Sequence, residues 1–222
     1  MAMLVMINSK KSAVWNGIHY DNSNFNNVDA VENLIHYVTR TRENEDRAGD
    51  LITCGAAGAG YYQTVEDTIH IASQSSPSRI SCYQRAEDMI QQFKYVQNTY
   101  RINSRKGRRM YHEVLNLLDI ETAWLNYDPF WFWKVGIECC QVYFQLGFQA
   151  VFAVHYEESK HYHFHFAVNS ISYVDGRKWH TSFLEKNQRE SIFNSILNMN
   201  QVMAGRKASP IVYLNHVQEI EA

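Results

Sequence analysis

The segment His161-Tyr162-His163-Phe164-His165-Phe166-Ala167-Val168-Asn169 alternates imidazoles with aromatic and aliphatic side chains. Side chains of a strand point alternately to its two faces. The spacing therefore predicts a strand over His161 to Ile171, with His161, His163 and His165 on one face and Tyr162, Phe164 and Phe166 on the other. The aromatic face is expected to enter the core and the imidazole face to be polar and solvent-reachable. Just upstream, Phe148 to Tyr156 reads as a second strand, and the short polar link Glu157 to Lys160 joins the two as a hairpin. His155 adds a fourth imidazole from that neighbouring strand. A lone strand histidine is ordinarily packing or surface. Such a cluster is different, because protonated imidazoles repel one another and buried ones lose solvation. A divalent cation is the usual compensation.

Outward from the hairpin, Met110 to Leu118 alternates as a strand, and Asp128-Pro129 opens an aromatic helix from Phe130 to Leu146 whose Trp131, Phe132, Trp133 and Tyr143 face the core. Asp175-Gly176 marks a turn, and Phe183 to Met203 is an amphipathic helix. Towards the N-terminus, Leu4 to Ile7 is a short strand and Asn16 to Asn27 a polar loop. Val28 to Arg42 is a helix with Val28, Val31, Leu34, Ile35 and Val38 on one face, capped by Asn27 or Asp29. Gly55 to Gly60 reads as a flexible loop, since it lacks the Lys-Ser/Thr of a phosphate loop and a convincing strand before it. Ser81 is expected to cap a helix from Tyr83 to Tyr100. A dense basic cluster follows: Arg101, Arg105, Lys106, Arg108 and Arg109, either a solvated loop or a phosphate contact.

These elements predict one α+β domain over residues 1–222, with hairpin-paired antiparallel strands. A length of 222 residues with 45% apolar and 20% charged residues supports a single sizeable core and excludes disorder, collagen and coiled coil. The net charge of -2 means that nucleic-acid binding must come from a local patch. Lys134, Glu138, Gln141, Gln145 and Gln149 interrupt the apolar stretch from Phe130 to Val154, so no bilayer span is expected. Met1 to Ser12 has no export pattern, and a cytoplasmic location is expected. Cys54, Cys82, Cys139 and Cys140 lack a CxxC spacing and read as reduced thiols.

The histidine string resembles the histidine-triad nucleotide hydrolases. It is more similar to the mobilisation relaxases of the HUH endonuclease superfamily, P-type and MobA/VirD-like, where His-x-Asp is followed by Pro-His-x-His-hydrophobic, an Asn and an Asp-Gly-Arg/Lys turn. Here these parts read His155-Tyr-Glu157, Tyr162-His163-Phe-His165-Phe, Asn169 and Asp175-Gly176-Arg177-Lys178, with Glu in place of Asp and Tyr in place of Pro. Relaxases place their catalytic tyrosine ahead of the histidines. Leu34-Ile35-His36-Tyr37-Val38-Thr39-Arg40 resembles their first motif, and Tyr111-His112-Glu113-Val114-Leu115-Asn116 their intermediate strand. The resemblance runs from about Leu4 to Lys178.

The resemblance implies a central antiparallel sheet with flanking helices, an HUH endonuclease-like two-layer architecture. It implies nicking of single-stranded DNA at the origin of transfer of a plasmid or integrative element, through a covalent phosphotyrosine, to start conjugative mobilisation. A phosphotyrosine keeps the phosphoester energy for rejoining, which hydrolysis would discard. By that resemblance Tyr37 is the nucleophile, with Tyr61 and Tyr62 as competitors, and His155, His163 and His165 hold the metal. Glu157 or Glu158 orients a ligand histidine, and His161 does the same or shuttles protons. Arg40, Arg101, Arg105, Lys106, Arg108, Arg109, Asn169, Arg177 and Lys178 are the candidate DNA contacts. The cofactor is a divalent metal ion, Mn or Mg, with Zn, Ni or Co also admitted; imidazoles suit Mn, Co, Ni or Zn better than Mg. Expected partners are origin DNA, accessory relaxosome proteins and a coupling protein. The alternatives are a nucleotide hydrolase or transferase that needs no tyrosine, and a non-catalytic DNA-binding adaptor holding a structural metal.

Overall fold

The computed structural model describes residues 1–7, 13–15, 18–20, 25, 29–41, 51–57, 79–100, 107–156 and 161–205. Its strands are β1 (Met3–Met6), β2 (Ala13–Trp15), β3 (Ile18–Tyr20), β4 (Leu51–Ala57), β5 (Met110–Asn116), β6 (Ala150–Tyr156) and β7 (Tyr162–Asn169). Its helices are α1 (Ala30–Thr39), α2 (Arg79–Thr99), α3 (Asp119–Trp124), α4 (Pro129–Gln145) and α5 (Phe183–Met203). Five strands form one antiparallel sheet in the order β1-β5-β7-β6-β4, with β2 and β3 pairing apart from it. This is the α+β fold expected of an HUH endonuclease: a central antiparallel sheet with flanking helices.

Alternation along the two central strands divides the core. Phe152 and Val154 of β6 with Phe164, Phe166 and Val168 of β7 meet Phe132, Val135 and Tyr143 of α4 and Phe193 and Leu197 of α5. Each such large apolar side chain contributes roughly 1.5–3 kcal/mol when fully buried. The opposite face carries Val151, Ala153 and Ala167, covered by Ile35 and Val38 of α1 and Met89, Ile90 and Phe93 of α2. Helices therefore lie on both faces, and the imidazole face is not solvent-reachable as its polarity suggested. His155, His163 and His165 are all buried.

Several boundaries differ from the sequence reading for local reasons. Helix α1 stops at Thr39, where Arg40 adopts a left-handed conformation (φ 53°) and donates its backbone N–H to the His36 carbonyl. Val28 and Arg42 lie outside the described residues. Helix α2 begins at Arg79, so Ser81 is inside it and not its cap. Asp128 caps α4 as expected, accepting from the Phe130 N–H with Pro129 in the first turn. The stretch Asn16 to Asn27, expected to be loop, contains β3 and borders β2. The outer edge of β1 is covered by α5, whose Asn194 side chain exchanges hydrogen bonds with the Ala2 backbone and whose Glu190 accepts from the Leu4 N–H.

The supposed loop at Gly55 is β4, paired with β6. Its small residues fit a steric need, because a Cβ at Gly55 would approach the Phe152 ring to 2.7 Å. A Cβ at Gly136 of α4 would overlap the same ring from another side. Phe152 is fully buried and cannot retreat from both. Gly136→Ala is expected to lower stability by about 1–3 kcal/mol despite the higher helix propensity of alanine. Thermal unfolding checks this, and Phe152→Leu should recover part of the loss in the double variant; a Gly136→Ala protein as stable as the parent contradicts the packing argument.

Candidate metal centre

The β6–β7 register sets His155 directly opposite His163 and sets Ala153 opposite His165. The small Ala153 leaves room for the His165 ring, whose centroid lies 4.4 Å from that of His155 and 4.7 Å from that of His163. One nitrogen from each of the three rings lies within 4.8 Å of the others. Bonds of about 2.0–2.2 Å to a shared cation would draw these nitrogens closer still.

Hydrogen bonds to backbone carbonyls fix which nitrogens of His155 and His163 carry lone pairs. His155 Nε2 lies 2.6 Å from the Val38 carbonyl, which only accepts, so that nitrogen is protonated and Nδ1 is not. Val38 lies in the last turn of α1, where carbonyls lack helical partners, so this bond also serves the helix end. His163 Nδ1 donates to the His161 carbonyl at 3.1 Å, leaving Nε2 as the basic nitrogen. His165 Nδ1 lies 2.7 Å from Nε2 of His112 on β5. His155 Nδ1 and His165 Nε2 are buried with no hydrogen-bond partner among the described residues. A buried basic nitrogen on His155, with the unpartnered His165 Nε2 beside it, suits a divalent cation of imidazole preference, so the residues fit the metal that the resemblance implies.

Burial also holds the His155 and His165 rings neutral. It lowers the pKa of His155 and His165 well below the ordinary histidine value, with neighbouring positive charge on Arg40 and the other imidazoles adding to the effect. Desolvation, and then the charge of His163, pushes His112 down to about 3. Neutral imidazoles are ready ligands at physiological pH.

Helix α1 brings Tyr37 to the same place. Its ring meets His165 edge-on at 5.8 Å and His112 at 5.9 Å, and the Arg40 guanidinium lies 5.0 Å from its centroid. Tyr37 and Arg40 are both buried. The structure thus gathers Tyr37, Arg40, His155, His163 and His165 from the sequence-predicted set.

Other predicted residues lie elsewhere. His161 precedes β7 in a left-handed conformation (φ 59°), which turns its side chain away from the alternation to an exposed contact of 2.5 Å with Asp119. Its backbone carbonyl, not its ring, serves the site. Asn169 is fully buried, donating to the Phe93 carbonyl and Gln149 and accepting from Gln97 and the Ile171 N–H, so it fastens β7 to α2. Arg177 pairs with Asp175, donates to the Leu146 carbonyl and lies over Phe148; it and Lys178 stand at the end of the β6–β7 pair away from the histidines. Arg108 lies over Phe25 and Tyr111, and Arg109 enters β5 with its backbone bonded to Phe25 and Ser170. Arg101, Arg105, Lys106, Glu157, Glu158, Tyr61 and Tyr62 lie outside the described residues. Cys54, Cys139 and Cys140 are buried free thiols, and the side chain of Cys82 is outside the described set.

His112 was given no site role by the sequence reading. Its signal was present: in alternation with Tyr111 and Glu113, it faces the histidines while Glu113 turns to Arg189 and Tyr143 across the sheet.

The depressed histidines set a pH dependence. In metal-free protein the unfolded chain takes up protons near pH 6.5 while the folded chain resists them. Their stabilisation is therefore complete above that pH and lost as pH falls towards the folded values, by up to about 1.4 kcal/mol per pH unit for each of His112, His155 and His165. Urea unfolding in chelator at pH 7.5 and below should show this decline, and an unchanged midpoint down to about pH 5 contradicts it.

With the geometry established, comparison with known proteins adds a family. The family model for relaxases, MobA/VirD2-like, nuclease domain, matches residues 67–202. The match contains His112, His155, His163 and His165, whereas Tyr37 and Arg40 precede it. No curated protein matches the chain.

Proposed function

Because the chain belongs to the relaxase family with a MobA/VirD2-like nuclease domain, whose members nick DNA, we propose that it cuts and transfers one strand at an origin of transfer, with Tyr37 as nucleophile and a divalent metal at His155, His163 and His165. The observation that carries this reading is the edge-on approach of the Tyr37 ring to His165 at 5.8 Å, beside the cluster of three imidazoles. An early helix delivers the phenol to ligands contributed late in the chain, the order of parts found in this family.

The reaction is a transesterification. The Tyr37 hydroxyl oxygen forms a bond to the scissile phosphorus as the bond to one strand end breaks. The phenol gives up its proton on attack, the departing alkoxide oxygen takes one up to end as a hydroxyl, and the other end stays on the tyrosine as a phosphoester. One phosphoester replaces another, so no energy source is needed. His155, His163 and His165 would hold the cation, which would supply Lewis-acid stabilisation of the phosphate charge. Arg40, beside the Tyr37 ring, offers a guanidinium to a non-bridging oxygen. Burial of Tyr37 limits water as a competing nucleophile.

DNA contacts belong to the basic segment leading into β5, of which Arg108 and Arg109 are described, with exposed bases stacking on aromatic side chains. Arg177 and Lys178 sit too far along the hairpin for the scissile phosphate and suit flanking DNA. Mn, Co, Ni or Zn fits an all-imidazole ligand set better than Mg. Among the described residues no helix is long and apolar enough to cross a membrane.

The test is a covalent adduct. Single-stranded oligonucleotides tiling the DNA around the gene are incubated with protein and Mn²⁺, then resolved under denaturing conditions. An adduct is expected that chelator abolishes and that Tyr37→Phe lacks while still binding Mn²⁺. An adduct that persists in Tyr37→Phe and vanishes in Tyr61→Phe or Tyr62→Phe overturns the assignment of Tyr37. Hydrolysis of adenosine phosphates without any adduct overturns the strand-transfer reading.

A further inference from the structure

His112 and His165 share a 2.7 Å nitrogen–nitrogen contact on the buried side of the sheet, their rings stacked at 5.0 Å and tilted by 22°. A single hydrogen lies between two neutral imidazoles, and it has two positions. If His112 Nε2 carries it, His165 must accept through Nδ1, and its Nε2 is then an N–H that cannot bind a cation. If His165 Nδ1 carries it, His165 Nε2 presents a lone pair towards His155 and His163. The second arrangement alone makes the three-nitrogen cluster a ligand set.

We propose that His112 is a positioning residue that accepts the Nδ1–H of His165, fixing the tautomer and ring orientation that make His165 Nε2 a metal ligand. This inference rests on the metal centre proposed above. His155 and His163 are oriented by backbone carbonyls of Val38 and His161, which remain acceptors in any variant that folds. His165 depends on a side chain instead, so its orientation can be removed by substitution. A neutral imidazole raises the basicity of the ligand less than a carboxylate would.

The experiment compares His112→Gln, which can place a carbonyl oxygen near the Nε2 position, with His112→Leu, which offers no acceptor. Calorimetric titration with Mn²⁺ and Co²⁺ is paired with circular dichroism in chelator to verify folding. His112→Leu is expected to lose about 10- to 100-fold in affinity for either ion, and His112→Gln to stay within about threefold of the parent. Long-range ¹⁵N–¹H spectra of the metal-free parent should show the His165 proton on Nδ1. Equal affinity in His112→Leu and the parent overturns the proposal. Equal weakening in both variants also overturns it, because a purely structural role gives that result. A parent protein that binds neither ion refutes the metal centre itself, while the spectra still decide the direction of the His112–His165 hydrogen bond: a proton on His165 Nε2 overturns the role given to His112.

Discussion

Antiparallel pairing of β6 with β7 places His155 across from His163 and leaves the space opposite His165 to Ala153. The imidazoles do not hold this register. It is held by the other face, where Phe164, Phe166 and Phe152 pack beneath α4 and Tyr162 stacks on Phe132 at 4.9 Å. A slip of one residue would drive the aromatics under α1 and the histidines into the apolar core, losing several large buried side chains. The hydrophobic core thus specifies the geometry of the histidine cluster.

Burial of so many imidazoles is costly unless each finds a role. The backbone relieves part of the cost: an end-of-helix carbonyl takes the His155 proton, and the carbonyl of left-handed His161 takes that of His163. Those bonds consume the protonated nitrogens and expose the basic ones to the cluster interior. A cation filling this space would bind the folded chain and not the unfolded one, so its affinity would also be folding free energy. The same helix end that meets His155 bears Tyr37 and Arg40, which couples the placement of the phenol to the integrity of the histidine cluster.

Period-two alternation made the two central strands, the division of their faces and the pairing of His163 with His165 legible from residues alone. Asp128-Pro129 likewise marked the start of α4, and Phe183 to Met203 matched α5 end to end. Burial of the imidazole face was hidden, because it depends on α1 and α2 packing there through contacts distant in sequence. Alternation also failed at His161, where a single positive φ breaks the strand pattern before β7 begins. Asn169 carried the right residue type for a DNA contact, yet its four hydrogen bonds are all internal. Strand β4 looked like a loop because Gly and Ala are poor strand formers, but the Phe152 ring demands small neighbours. The pairing of β2 with β3 had a signal that went unused, the Asn16-Gly17 dipeptide between them.

The central claim is that three imidazoles from one hairpin hold a cation beside a helix-borne phenol. X-ray absorption at the Mn edge, on protein loaded with one equivalent of Mn²⁺, tests it most directly. The account predicts imidazole scattering from three nitrogen ligands, reduced by one in His163→Ala. A coordination shell of oxygen atoms without imidazole scattering would contradict it.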